Sequence, residues 1–432
     1  MKTINFIDLF AGMGGFRLGF KQAAQERGIK AECVFSSEIK PYAVQVYQSN
    51  FNQEIVHGDI TQIPSASIPD FDVLLGGFPC QAFSNAGKRQ GFADTRGTLF
   101  FEVERILRDK KPQAFILENV EGLVKHDLQD KTDKIGRTLS IILTNLASLG
   151  YQVSWQILDA SNFGIPQSRK RIFLVGTRKT KVDLTNFKYT TSKLADVLET
   201  GKATLQSEFI HSLLSKYSLP ELYGKSVKDK RGGANNIHSW DLELKGSVSP
   251  KQADLLKQIM KARRNKKWAA LKGIQWMSGM PLTTSEIRTF FDDPDLESML
   301  EDLCTKKYLK LEHPKDLVVY TNSQGKQVSK REYRTDLEKG YNIVTGKLSF
   351  EINKILDPKD ITPTLVATDL DRIVVPDNNG LRLLTTVEQK RLFGFPDDYV
   401  MEVKPKEIFD LFGNTVAVPV VKAVAIKLLD TL

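Results

Sequence analysis

Cysteine is scarce in this chain, with three in 432 residues: Cys33, Cys80 and Cys304. Their odd number and wide, irregular spacing fit neither a disulfide framework nor a zinc site, so no metal centre is expected and a reducing cytoplasm is the natural compartment. No apolar run reads as long enough to span a membrane. Residues Met1-Lys2-Thr3-Ile4-Asn5-Phe6 lead straight into a strand pattern, without the basic segment and apolar stretch of a secretory signal. Repeats and low-complexity segments are also missing. What is in excess is positive charge, 61 Lys and Arg against 52 Asp and Glu, a formal net charge of +9. That surplus favours a polyanionic partner without identifying it.

At this length two domains are the default, each large enough to bury a core unaided. From residue 1 to about 177, short β-rich apolar runs alternate with helical periodicity, as a doubly wound parallel α/β sheet requires. Ile4 to Phe10 reads as a strand. Leu139, Ile142, Leu143, Leu146 and Leu149 recur at helical spacing, Gly150 stops that helix, and Tyr151, Val153, Trp155 and Ile157 then alternate as a strand. Between about 186 and 375 the alternation is lost and turn-rich, charged stretches take over, which predicts a second domain. The expected division is 1–185, 186–404 and a returning segment 405–432. Thr385-Thr386-Val387-Glu388 is a capping-box pattern, and Val416 to Leu432 reads as a closing apolar helix.

Ile7-Asp8-Leu9-Phe10-Ala11-Gly12-Met13-Gly14-Gly15-Phe16 is a strand, a glycine-rich turn and a helix start, a place where backbone can approach a ligand. The dinucleotide fingerprint fails, because its third glycine would fall at Arg17. Closely set glycines leave room for a nucleoside without demanding a pyrophosphate. Glu38, after the strand-like Cys33 to Ser37, is placed to accept hydrogen bonds from both ribose hydroxyls. Asp59, in Gly58-Asp59-Ile60, is placed to read an adenine amino group. For the glycine loop alone a plain βα turn is an equal reading; with Glu38 and Asp59 at consecutive strand ends, binding is favoured.

The run Phe71 to Phe78 ends in Pro79-Cys80-Gln81, and Ala114-Phe115-Ile116-Leu117 ends in Glu118-Asn119-Val120. A cysteine and a carboxylate at neighbouring strand ends point to nucleophilic attack on a pyrimidine ring, the thiolate adding to a ring carbon while the acid serves a ring nitrogen. A thiol of ordinary pKa, about 8.5, needs an electropositive site to ionise. Arg169 and Arg171, before the strand Ile172 to Gly176, are the candidates. A buried strand-end cysteine is the plain alternative, which the polar neighbours Gln81 and Ser84 make less attractive.

These blocks closely resemble the DNA cytosine-5 methyltransferases of bacterial restriction-modification systems. The matching residues are Asp8 to Phe16, Gly77-Phe78-Pro79-Cys80-Gln81-Ala82-Phe83-Ser84, Arg96-Gly97-Thr98-Leu99-Phe100, Glu118-Asn119-Val120 and Gln167-Ser168-Arg169-Lys170-Arg171. Near the end come Leu384-Thr385, Arg391 to Pro396 and Gly413-Asn414-Thr415-Val416. The resemblance implies a Rossmann-like methyltransferase sheet with a second, smaller target-recognition domain, S-adenosylmethionine as donor and S-adenosylhomocysteine as product. It implies a cofactor pocket of Phe10, Gly12, Gly14, Gly15, Glu38, Asp59, Ile60, Leu99, Asn414 and Val416, with Pro79 shaping the wall between donor and base. Cys80 and Glu118 are the implied catalytic pair, and Arg169 and Arg171 the clamp on phosphate or on the flipped base. Gln81, Ser84, Asn85, Lys88, Arg89 and Arg96 fall on a loop expected to close over double-stranded DNA. A solvated polar loop is the other reading of 81–97.

In the middle region, Thr364-Leu365 matches the family's Thr-Leu element, and Ala367 to Arg372 is expected to approach base edges. Arg372 suits a bidentate contact with guanine, although a surface ion pair is an equal reading. A second recognition loop is expected near Asn342 to Lys347. Lys257 to Lys272 carries seven basic residues, no acid, and Trp268, which suits phosphate contact along one helix, a solvated amphipathic helix being the alternative. Residues 281–335 read as helix, helix, strand, the order of an inserted winged-helix element. A monomer without membrane attachment is expected, partnered by a cognate restriction endonuclease acting on the same site. The competing functions are cytosine-5 methylation of transfer RNA and a catalytically silent DNA-binding regulator. The long basic middle region speaks against the first, and the intact Cys80 and Glu118 against the second.

Overall fold

The computed structural model describes residues 2–79, 99–128, 130, 132–275, 279–321, 327–345 and 350–432. Gln81, Ser84, Asn85, Lys88, Arg89 and Arg96, and Cys80 itself, lie outside the described residues. The chain forms two compact units. The first comprises 1–202, 357–371 and 383–432; the second comprises 203–356 and 372–382. These limits differ from those expected at 185 and 404, because 186–202, 357–371 and 383–404 belong to the first unit.

Unit 1 is built on a six-stranded sheet of β1 (Thr3–Leu9), β2 (Lys30–Ser37), β3 (Val73–Gly77), β4 (Ala114–Val120), β5 (Gln152–Asp159) and β6 (Lys170–Thr177), in the order β2-β1-β3-β4-β6-β5. The first four run parallel, and β6 runs antiparallel to both β4 and β5, so β6 alone is reversed. Helices α1 (Gly15–Glu26), α2 (Pro41–Asn50), α3 (Leu99–Lys110) and α4 (Arg137–Ser148) connect the strands.

Alternate side chains along the inner strands enter two separate cores. Phe6, Leu75, Ile116 and Val175 join one; Ile7, Leu74, Phe115 and Leu174 join the other. A sheet covered on both faces demands continuous apolar runs, which is why these segments show no polar alternation. The first face is covered by α1 and by Val418–Leu429, the second by α3 and α4. In α4, Leu139, Ile142 and Leu146 are buried, and Gly150 ends the helical region with φ +86°. At the sheet edge, β5 buries Ser154 and Leu158 and leaves Val153, Trp155 and Ile157 half-buried.

The stretch Pro405–Leu429 is, by length and composition, apolar enough to cross a bilayer, contrary to the sequence expectation. It folds as two helices, Pro405–Asn414 and Val418–Leu429, and the second buries Val420, Val421, Val424 and Leu428 in the core.

Unit 2 has its own core, in which Leu255, Leu256, Ile259, Leu282, Leu296, Leu300, Leu303, Leu309 and Ile343 meet. The basic stretch expected as one helix is two, Pro250–Ala262 and Lys266–Leu271, because Asn265 caps the second by accepting from the Lys267 N–H at 3.0 Å. Trp268 is 3% exposed and donates to the Ala262 carbonyl, so it is a core residue and presents no ring to a nucleic acid. Residues 281–335 fold as the helices Thr284–Arg288 and Leu296–Thr305, the strand Leu309–Glu312 and an antiparallel ribbon, Lys315–Thr321 with Gln327–Tyr333. The strand Gly340–Ile343 then pairs with Leu309–Glu312 and bridges Leu282 through Tyr341.

Candidate active site

In a parallel sheet the carboxyl ends of the strands share one edge, where crossover loops open a binding site. Gly12, Glu38, Pro79 and Glu118 follow or end β1, β2, β3 and β4 and so share that edge. Reversed β6 contributes its beginning instead of its end. The β4–β6 register pairs Val120 with Arg171 and Asn119 with Ile172, so the basic segment before Ile172 lands beside Glu118.

Arg171 Nε lies 3.0 Å from Glu118 Oε1. Burial pushes the Glu118 carboxyl above the usual carboxylate range, and Arg171 and then Arg169 oppose that rise without cancelling it. Gly77 is the β3 partner of Glu118; a Cβ there would sit 3.5 Å from Glu118 Oε2. Asn119 donates to the Phe78 carbonyl at 3.1 Å, pinning the exit of β3 to the end of β4. Half-buried Pro79 leaves from that pinned position.

Arg169 lies inside the protein, away from the surface position expected of a phosphate clamp. It is 2% exposed, and its guanidinium donates to the carbonyls of Leu365 (3.3 Å), Gly413 (3.2 Å) and Thr415 (2.6 Å), with the Phe393 ring 5.2 Å away. A buried guanidinium needs such acceptors, and here they hold the segment carrying Asn414 and Val416 against β6. Its charge also acts on Glu118 through space.

Around the glycine turn, Phe10 adopts a left-handed φ of +55°, uncommon for a bulky residue. The three glycines differ in purpose. A Cβ on Gly12 would meet nothing within 4 Å, whereas one on Gly14 would strike the Phe51 ring at 2.3 Å and one on Gly15 would meet Val416 at 2.9 Å. Only Gly12 borders open space that a ligand can fill; the other two admit protein neighbours. The Glu38 carboxylate accepts from the N–H groups of Gly12 (2.8 Å), Ile39 (2.8 Å) and Lys40 (2.9 Å). Three of about four lone-pair sites are taken, so accepting from both ribose hydroxyls requires sharing with a backbone donor.

Segment 57–59 runs beside the end of β2, with the Glu38 N–H donating to the His57 carbonyl and Ser37 Oγ to that of Gly58. This carries exposed Asp59 to the same edge, where Oδ1 accepts from the Thr61 N–H ahead of buried Ile60. Leu99 opens α3, and Val416 is buried. Exposed Asn414 donates to both the backbone carbonyl and the carboxylate of Asp410, which also receives Lys40 and Tyr42.

Sequence reasoning missed the layer beneath the turn. Asp8 is fully buried, and burial pushes its pKa up to about 8 against the opposing pull of Arg17 and Tyr47. Arg17 forms a two-point ion pair with Glu54 at 2.6 and 2.7 Å and stacks over Phe51, and Tyr399 donates to the Met13 carbonyl. An arginine two positions after a glycine pair, on an otherwise apolar helix face, was the available signal.

Of the recognition candidates, exposed Thr364 belongs to unit 1, where its hydroxyl donates to the Ser168 carbonyl, and Arg372 belongs to unit 2 beside the strand Ile373–Asp377. Asn342, expected on a recognition loop, is a buried strand residue accepting from Arg263 at 2.8 Å. The described residues hold no cluster of three metal-ligating side chains.

The sequence model of the family described as C-5 cytosine-specific DNA methylase matches residues 4–430. The chain is 58% identical to the Type II methyltransferase M.NlaIV of Neisseria lactamica and 57% identical to M.NgoBV of Neisseria gonorrhoeae, each over the whole of both chains. It is 40% identical to M.BanI of Aneurinibacillus aneurinilyticus, over 98% of this chain and 94% of the relative. Among solved structures, the Entamoeba histolytica methyltransferase EhMeth superposes with a TM-score of 0.53 at 16% identity, covering 100% and 99% of the two chains, and S. pombe Dnmt2 with 0.52 at 15%, covering 99% and 97%. Those two likenesses establish the fold, and the full-length match establishes the family: the chain belongs to the C-5 cytosine-specific DNA methylases and is a DNA cytosine-5 methyltransferase.

Proposed function

We propose that the chain methylates carbon 5 of a cytosine flipped out of duplex DNA, with Cys80 as nucleophile and Glu118 as the acid at ring nitrogen 3. The observation that carries this is buried Glu118, its proton affinity raised, paired with Arg171 beside the pinned exit of β3. Burial pushes the other two thiols up, Cys33 to about 11, which disfavours both as nucleophiles. The Cys80 thiolate forms a bond to carbon 6, breaking the ring's aromaticity, while Glu118 gives its proton to nitrogen 3 and so spreads no charge onto the ring. Carbon 5 becomes nucleophilic and takes a methyl group. Loss of the carbon-5 proton to water then expels the Cys80 sulfur as thiolate, and nitrogen 3 returns its proton to the Glu118 carboxylate, which restores the neutral aromatic ring. Arg171 holds the Glu118 carboxyl toward the flipped base and steadies the carboxylate once the proton has left.

The open side of Gly12, the remaining lone pair of Glu38 and the second carboxylate oxygen of Asp59 fit a nucleoside-bearing donor. Phe10, Ile60, Leu99, Asn414 and Val416 would complete its pocket, with Pro79 between it and the base. S-adenosylmethionine, when bound there, supplies the electrophilic methyl. Flipping costs a few kcal/mol of lost stacking and pairing. Unit 2 reads the target sequence, with Arg372 at a base edge and Thr364 holding the segment before it. The Type II names of the relatives support a restriction-modification role, in which the enzyme protects host DNA from a cognate endonuclease; we take it to act as a monomer in the cytoplasm.

The test is covalent trapping. Duplex DNA carrying 5-fluorocytosine at the target should give a protein-linked oligonucleotide with the native chain and none with Cys80→Ala, which should still bind donor and DNA. Substantial turnover by Cys80→Ala would refute the mechanism.

A further inference from the structure

Unit 2 places helix, helix, bridge, helix, helix, strand, ribbon, strand around one core, as Pro250–Ala262, Lys266–Leu271, the bridge at Leu282, Thr284–Arg288, Leu296–Thr305, Leu309–Glu312, the ribbon and Gly340–Ile343. Helix-turn-helix readers lay their second helix in the major groove. Here that helix is acidic. Residues 289–305 contain Asp292, Asp293, Asp295, Glu297, Glu301 and Asp302 and no Lys or Arg. The helix exposes Glu297, Ser298, Glu301 and Thr305; Arg288 pairs with Glu297 and Lys306 with Asp302, and the face itself offers a phosphate no cation.

The ribbon has the opposite character. A two-stranded ribbon alone in water is marginal, yet this one leaves Val318, Val319, Tyr320 and Tyr333 between 40% and 61% exposed. Its register puts Lys315 opposite Tyr333, Leu317 opposite Arg331, Val319 opposite Ser329 and Thr321 opposite Gln327, so one face holds two cations and no acid. Lys315 Nζ lies 4.3 Å from the Tyr333 ring centre. The other face carries Asp316 and Glu332 beside Lys330.

At the root of the ribbon a cavity of about 190 Å3 is lined by Arg263, Lys310, His313, Lys315 and Arg331. Its one carboxylate, Glu312, already accepts from Lys310 and Asn342, both at 2.7 Å. Arg263 is 6% exposed, and its Nε has no partner among the described residues. Burial and neighbouring Arg264 lower its pKa to about 10, so an anion arriving in the cavity would relieve both.

We propose that unit 2 meets duplex DNA through this ribbon, its Lys315 and Arg331 face toward the groove and one backbone phosphate seated in the root cavity, with the acidic helix turned away. The major groove admits a two-stranded ribbon as readily as a helix, and apolar ribbon side chains can meet thymine methyls there. The proposal rests on DNA being the substrate and specifies which surface meets it.

The test uses the full chain and a mixed-sequence duplex of about 30 base pairs, with affinity measured between about 50 and 300 mM salt. For the double variant Lys315→Ala, Arg331→Ala, the slope of log affinity against log salt should fall by about 0.9 for each phosphate no longer neutralised, with affinity at the lowest salt down about tenfold. Arg263→Gln should reduce the slope by about 0.9, the share of one phosphate, whereas Arg263→Lys, which keeps the charge, should leave it near the native value. Neutralising the helix with Glu297→Gln, Glu301→Gln should not weaken binding. Donor affinity, read by calorimetry, reports that unit 1 is intact. An unchanged slope in the ribbon variant, or weakened binding in the helix variant, overturns the proposal. If the native chain binds duplex through the ribbon but methylates no DNA, the activity reading fails and the ribbon proposal stands.

Discussion

Glu118 is pulled in two directions, since burial favours its neutral form and Arg171 at 3.0 Å favours its carboxylate. Burial wins, and the sign sets the pH dependence. The acid must be protonated to serve nitrogen 3, so activity should fall as pH rises through its raised pKa, while the Cys80 thiolate requirement makes activity fall toward acid. Glu118→Gln should lower kcat by about 10²- to 10⁴-fold and abolish the alkaline limb while keeping the acid one, as a pH–rate profile would reveal. Stability follows the same sign: the contribution of this raised group is complete below the ordinary value of 4.5 and is lost as pH rises through the folded value. The two arginines should separate cleanly. Arg171→Ala should depress turnover with little change in urea midpoint. Arg169→Ala removes the donor from two buried carbonyls and one half-buried carbonyl and should cost on the order of 3 kcal/mol in urea unfolding. The distinction was illegible in the sequence, because the partners of Arg169 lie 196 to 246 residues away.

At the scale of elements, the strand-end residues were legible because a sheet buried on both faces writes continuous apolar runs, and the residues closing each run fall on one edge. The glycine turn was only half legible. Three glycines in a row of four suggest ligand approach, yet Gly14, with φ +84° and the Phe51 ring beneath it, serves protein packing. Gly14→Ala should therefore destabilise the fold by about 1–3 kcal/mol through overpacking alone, before any effect on donor binding. Gly12→Ala carries the strain of φ +54° without a clash, so its larger effect should be on the donor Kd. Thermal melts with and without donor would distinguish the two. The basic stretch 257–272 failed as a single helix because an asparagine cap and a buried tryptophan are decided by the core they enter, and charge pattern cannot report that.

For the whole molecule, unit 1 is assembled from three separated stretches of chain, which no local pattern announces. Helix Val418–Leu429 covers one sheet face and packs so closely on α1 that a Cβ on Gly19 would lie 2.8 Å from Val421. A chain ending at residue 404 should accordingly express as insoluble protein, with Phe6, Phe16 and Phe20 exposed; soluble, donor-binding material from that truncation would contradict this packing.

The same helix also sets a clock. When the first 202 residues have left the ribosome, their sheet still lacks a cover that is translated some 230 residues later, a wait of roughly 10–50 s at ordinary elongation rates. During that interval one apolar face stands open to chaperones and to other nascent chains. That face of the core closes only once the late helix has docked, so the yield of folded enzyme should depend on how safely this early half endures its own synthesis.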